Sequence, residues 1–126
     1  MNMHRVEQAI VDAMKCKHDA HLSKRDAVYY DAQLDTSTYR LWRTDVAVIH
    51  WREQYIAFRH GGWLTPTTKS RINAIAYAFT RKQVLSQKGG IWYLNGEQWL
   101  GIDTDTRILE YGQQFPTLPR DYKAVN

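Results

Sequence analysis

From Gly61 to Asn73 the chain reads GGWLTPTTKSRIN, which gathers Thr65, Thr67, Thr68, Lys69, Arg71 and Asn73 around the expected start of a helix. Hydroxyls, cations and the free N–H groups of a first helical turn together form an anion cradle, because unpaired donors and the helix dipole both favour negative charge there. Arg71 offers a planar fork of donors to phosphate oxygens, and Lys69 offers a mobile point charge. Trp63 supplies a flat ring for stacking, and Asn73 an amide for a base edge or ribose. Two cations in a first turn oppose the helix dipole, an arrangement that makes better sense with an anion present. The structural alternative is simple: Gly61 and Gly62 turn the chain, Trp63 fills the core, the threonines cap and the cations are solvated. The GxxxxGK[ST] spacing of a P-loop is absent, as is a carboxylate set suited to magnesium.

Other chemistry finds less support. His18 and His21 could share a helical face, but no third ligand follows at a recognised spacing, so no metal and no cofactor is expected. No serine sits in a GxSxG elbow, and pairing Cys16 with a histidine has no motif behind it. Nothing assembles an acid, a base and a nucleophile, and the balance leans to binding without catalysis. A second basic set, Lys24, Arg25, Arg40, Arg43 and Arg52, mingles with Tyr29, Tyr30, Tyr39, Trp42 and Trp51. Strand alternation would put some of these on one exposed face, as a nucleic-acid surface, a nucleotide pocket or, the favoured reading, an ordinary subunit interface.

The elements that must position these groups read as α+β. Met3, Val6, Ile10 and Ala13 or Met14 mark an N-terminal amphipathic helix, with Glu7, Asp12, Lys15 and Lys17 on its other faces. HDAHLSKRD reads as a turn or the frayed end of that helix, and AVYYDAQ as the opening of a sheet. From Thr38 to Arg59 the period drops to two, with strands expected at TYRLWR, VAVIHW and QYIAFRH and a break at Arg52-Glu53. Short connections suggest an antiparallel meander. Ile72, Ile75, Ala76 and Phe79 fall on one stripe of a second helix, from about Thr68 to Arg81. IWYL-NG-EQWL then signals a hairpin, since Asn95-Gly96 suits a type I′ turn, and Lys88-Gly89-Gly90 joins VLSQ to IWYL. RILEY forms a short element before Pro116 and Pro119 interrupt regular structure.

With 126 residues, 44% hydrophobic and 24% charged, the chain fits a single domain spanning residues 1–126. Five Trp, eight Tyr and three Phe exceed what a core alone requires and suit stacking or interfaces. A formal charge of +4 permits an anionic partner without demanding one. The single cysteine fits a reducing compartment, and no apolar run suggests a signal peptide or membrane span.

The pattern G-G-aromatic-x-T-x-T-T-K-x-R-x-N, following strands and followed by a helix and an aromatic hairpin, resembles small bacteriophage proteins, above all the anti-Thoeris sponge family called Thoeris anti-defence one. The likeness spans Leu41 to Trp99, and its specific part is Gly61 to Asn73. It implies a non-catalytic protein of the host cytoplasm that buries a cyclic ADP-ribose isomer between subunits and withholds that alarm signal from its effector. Some family members form larger assemblies and hold cyclic oligonucleotides at a separate site, so a homo-oligomer, a dimer or trimer of dimers, is implied. Carried over by position, Trp63 is the stacking residue and Asn73 the polar contact from the helix, while Arg107 stands for an arginine from the C-terminal region. Thr65, Thr67, Thr68, Lys69 and Arg71 match the motif and take the phosphates on the physical argument above. Trp63 exceeds a phenylalanine in size and would narrow such a pocket. Nanomolar capture requires about −12 kcal/mol, which burial between two chains could supply. Two other readings stand beside this one: a small DNA- or RNA-binding regulator, and an inhibitor that contacts a host protein directly.

Overall fold

The computed structural model describes residues 4–99 and the backbone of residues 107–110. In chain order it contains α1 (Arg5–Cys16), β1 (Ala20–His21), β2 (Asp26–Asp31), β3 (Thr36–Leu41), β4 (Thr44–His50), β5 (Tyr55–Phe58), α2 (Pro66–Thr80), β6 (Leu85–Lys88), β7 (Ile91–Leu94), β8 (Glu97–Gln98) and β9 (Arg107–Glu110). The α+β expectation holds. Strands β1 to β5 form an antiparallel meander that β9 extends beyond β5, and β6, β7 and β8 form a second, smaller antiparallel sheet.

Cross-strand register explains which face is buried. Val28, Tyr39, Ala47 and Phe58 form one row across β2 to β5, and Tyr30, Ser37, Ile49 and Ile56 form the next. These rows meet α1 and α2, whose Ile10, Met14, Ile72, Ile75 and Phe79 are buried in the same core. The period of two along the strands and the helical stripe are two halves of one hydrophobic layer. The ends of α1 and α2 both pass into left-handed residues, Lys17 and Arg81. The small sheet packs against α2 through β6, with Leu85, Trp92 and Leu94 buried in the same core.

Three sequence expectations change. TYRLWR does not run as one strand: Leu41 pairs with Thr44, so Trp42 and Arg43 form a tight turn with Trp42 at φ 56°. Alternation alone cannot mark a reversal whose turn residues are both bulky. Trp51 leaves β4 for the following turn, where its ring packs edge-on against Phe79 at 5.8 Å and its indole N–H donates to Ser37 Oγ at 2.9 Å. Glu7, expected on the polar side of α1, is only 1% exposed. Asn95 and Gly96 do take the left-handed conformations expected between β7 and β8, at φ 53° and 80°. Gly89 and Gly90 do the same between β6 and β7, at φ 58° and 80°. Pro116 and Pro119 lie outside the described residues.

Candidate functional site

The start of α2 is capped from within. Thr65 precedes the helix in an extended conformation, and its Oγ1 accepts the Thr68 backbone N–H at 3.2 Å, with Pro66 in the first turn. Thr68 is buried, and its Oγ1 lies 3.1 Å from that of Thr65. Two of the expected phosphate donors therefore serve the helix end itself.

Arg71 corrects the anion-cradle reading most sharply. Only 4% exposed, it points into the protein rather than toward a ligand. Its Nη1 donates to Glu7 Oε2 at 2.9 Å, and its Nε donates to Asp26 Oδ1 at 3.1 Å. Ser70 Oγ donates to the same Glu7 oxygen at 2.5 Å. Asp26 also accepts from Ser23 Oγ at 2.6 Å and from the Tyr39 hydroxyl. Burial works to raise the Asp26 carboxyl, yet hydrogen bonds from Arg71, Ser23 and Tyr39 hold it below the ordinary carboxylate range. Burial likewise opposes the Arg71 charge, and the hydrogen bonds to Asp26 and Glu7 overcome it and raise the guanidinium further. Burial and the adjacent Asp26 both push the Tyr39 phenol upward. The anion that neutralises Arg71 is a pair of carboxylates supplied by α1 and β2.

Asn73 is also internal. Its Nδ2 donates to Leu85 O at 2.9 Å, and its Oδ1 accepts the N–H groups of Val84 at 3.0 Å and Leu85 at 2.9 Å. One side chain thus ties α2 to the first strand of the small sheet. The ligand contact expected of Asn73 is replaced by an internal one, because its position on the helix says nothing about a partner beyond the helix.

What remains outside is Trp63, 64% exposed, with Leu64 at 52%. Thr67 is partly exposed, and Lys69 Nζ lies 3.4 Å from Gln87 Oε1 on β6. Arg107 occupies β9 opposite Phe58, and its side chain falls outside the described residues. The core-plug alternative for Trp63 fails as plainly as solvation fails for Arg71.

Beside Leu64 opens a cleft of about 220 Å³ lined by His60, Leu64, Gly90, Ile91, Trp92, Gln98 and Trp99. His60 is buried edge-on to both tryptophan rings, with centroids 4.5 Å from Trp99 and 6.4 Å from Trp92. Its Nδ1 accepts the Gly62 N–H at 2.9 Å, which fixes the loop that carries Trp63. Trp99 lines the cleft, and its buried indole Nε1 finds no acceptor among the described residues. Sequence reading passed over His60, Trp92 and Trp99. The only signal was the aromatic content of the hairpin arms and a histidine directly before the glycine pair.

The second basic set is divided rather than gathered. Tyr39 and Trp51 are buried, while Arg40 sits 4.8 Å above the Tyr29 ring and pairs with Asp45 at 2.7 Å. Arg40, Tyr29 and Asp45, with Asp19, Asp31 and His50, line an open groove of about 700 Å³ on the sheet face away from the helices. Among the described residues no group of three or more His, Cys, Asp or Glu side chains could hold a metal ion, and no helix is long and apolar enough to cross a membrane.

The family described as Kyanoviridae Gp96 protein matches residues 3–115, nearly the whole chain. The chain belongs to that family. It is a phage protein. No curated protein and no solved structure matches it. In this Gp96 family member the family span takes in α1, which supplies Glu7, as well as the strands, α2 and the small sheet. The buried centre at Arg71 thus lies wholly within the matched region.

Proposed function

We propose that this phage protein is a non-catalytic binding protein that captures a cyclic nucleotide immune signal, of the cyclic ADP-ribose type, and withholds it in the host cytoplasm. The observation that carries this reading is the aromatic cleft of His60, Trp92 and Trp99 beside the exposed Trp63. A purine can enter such a cleft edge-on or stack on Trp63. Thr67 and Lys69 are the motif groups left to meet phosphate, while Arg71 and Asn73 act only by holding the scaffold.

The cleft's 220 Å³ falls below the roughly 300–1,000 Å³ of a complete small-molecule site. The proposed ligand would need more enclosure than one chain supplies. Exposed Leu64 and Ile91 at the rim, with Trp63 next to Leu64 in the chain, are the surface a second copy would cover, in keeping with a homo-oligomer that buries its ligand between subunits. Native mass spectrometry against a panel of cyclic nucleotides tests ligand and stoichiometry together. The expected result is an oligomer retaining intact ligand, and Trp63→Ala should weaken binding in calorimetry by about tenfold or more, the worth of one stacking contact. No retained nucleotide across the panel would end the reading. The alternative of a DNA- or RNA-binding regulator has its own support at the β3–β4 turn, whereas nothing specific favours the direct host-protein inhibitor.

A further inference from the structure

Trp42 stands out among the described residues because it is both a bulky side chain in the left-handed region, at φ 56°, and 61% exposed. A large non-glycine residue is an outlier there, and burial does not repay the strain, since the ring projects into water. The backbone around it is nonetheless fixed. The Trp42 N–H donates to Arg25 O at 2.8 Å, joining the β3–β4 turn to the turn before β2. In that turn Ser23 Oγ accepts the N–H groups of Arg25 and Asp26 at 3.1 and 3.0 Å.

The result is a cationic rim around an exposed indole. Lys24, Arg25 and Arg43 are all exposed. Lys24 and Arg43 form no ion pair among the described residues, and Arg25 Nε lies 3.6 Å from the buried Asp26, whose main partner is Arg71. The nearest carboxylate along β4, Asp45, is already paired with Arg40. Gly61 extends the surface: a Cβ there would meet Thr44 Cγ2 at 2.7 Å, so the Gly61–Gly62 turn lies against β4 beside Arg43. The loop of the second exposed tryptophan, Trp63, is thus a neighbour of Trp42's turn. The outer groove of the sheet has the opposite character, with Asp19, Asp31 and Asp45 against Arg40.

We propose that this end of the main sheet binds single-stranded nucleic acid, with Trp42 as a stacking platform and Lys24, Arg25 and Arg43 as phosphate contacts. Exposed rings between cations are how proteins hold unpaired strands, because every base has a π-face and every link carries a charge. A duplex conceals those faces. The exposed side chains immediately around Trp42 are the cations Lys24, Arg25 and Arg43, while the apolar Trp63 and Leu64 belong to the neighbouring loop. The proposal does not depend on the cyclic nucleotide reading, which uses Trp63 and the His60 cleft.

Fluorescence anisotropy with a labelled single-stranded deoxythymidine oligomer tests it. Binding should be measurable at about 50 mM salt and should weaken steeply as salt rises. Trp42→Asn should reduce affinity by about tenfold or more without lowering the melting temperature, because asparagine accepts the left-handed conformation. The double variant Lys24→Gln, Arg43→Gln should flatten the salt dependence by roughly 1.4, two phosphate contacts at about 0.7 each. Unchanged affinity in Trp42→Asn, no binding by the intact protein, or stronger binding to duplex or to phosphatidylserine vesicles would overturn the proposal. Cyclic nucleotide calorimetry on Trp42→Asn keeps the two readings apart: unchanged uptake is expected, and its loss would place Trp42 in the nucleotide site and overturn the assignment.

Discussion

Removing the Arg71 guanidinium leaves Glu7 and Asp26 buried without their counter-charge, and losing one partner of a buried pair costs about 3–5 kcal/mol. Arg71→Ala is therefore expected to lower the urea midpoint severely whether or not ligand is present. A variant that stays as stable as the parent would refute the internal role. Asn73→Ala removes three hydrogen bonds to the backbone of residues 84 and 85, and stranding such groups costs about 1–3 kcal/mol each. Its expected signature is faster amide exchange in β6 than in β4. Trp63→Ala should shift stability by no more than about 0.5 kcal/mol, as an exposed substitution does, so its effect on ligand binding can be read cleanly.

At the level of elements, α2 is the hub: its start is capped by Thr65, its middle holds Arg71 and Asn73, and its apolar stripe faces the main sheet. Thr65→Ala should cost about 1 kcal/mol through loss of that cap, measured by chemical denaturation. The turn at Trp42 behaves in the opposite sense. Relief of a left-handed bulky residue is worth about 1–2 kcal/mol at most, so Trp42→Asn should hold or raise the denaturation midpoint. Both helices, the meander and the Asn95-Gly96 turn were legible because each is encoded by neighbours in sequence: a stripe, an alternation, a turn dipeptide. The Trp42 reversal was not, since no turn dipeptide marks it.

On the scale of the whole molecule, the candidate site was less legible than the fold, for a physical reason. A guanidinium that needs an anion looks the same in sequence whether the anion is a ligand phosphate or a carboxylate 64 or 45 residues away. The glycine turn and Trp63 were found because exposure follows from local chain reversal, while the His60 cleft is assembled from three separate segments. The buried centre also sets an acid limit. Asp26 is held below its ordinary value of 3.8, so its contribution is fully present above that value and is lost as pH falls through the lowered folded-state value. Denaturation midpoints should fall as pH drops below about 4, and the fall should be shallower in Asp26→Asn, whose baseline is already low. The same arrangement dictates an order of events during synthesis. Glu7 and Asp26 leave the ribosome well before Arg71 does, and neither carboxylate can be enclosed until its counter-ion arrives. The early half of the nascent chain must therefore wait, hydrated and open, for the second helix to lock it shut.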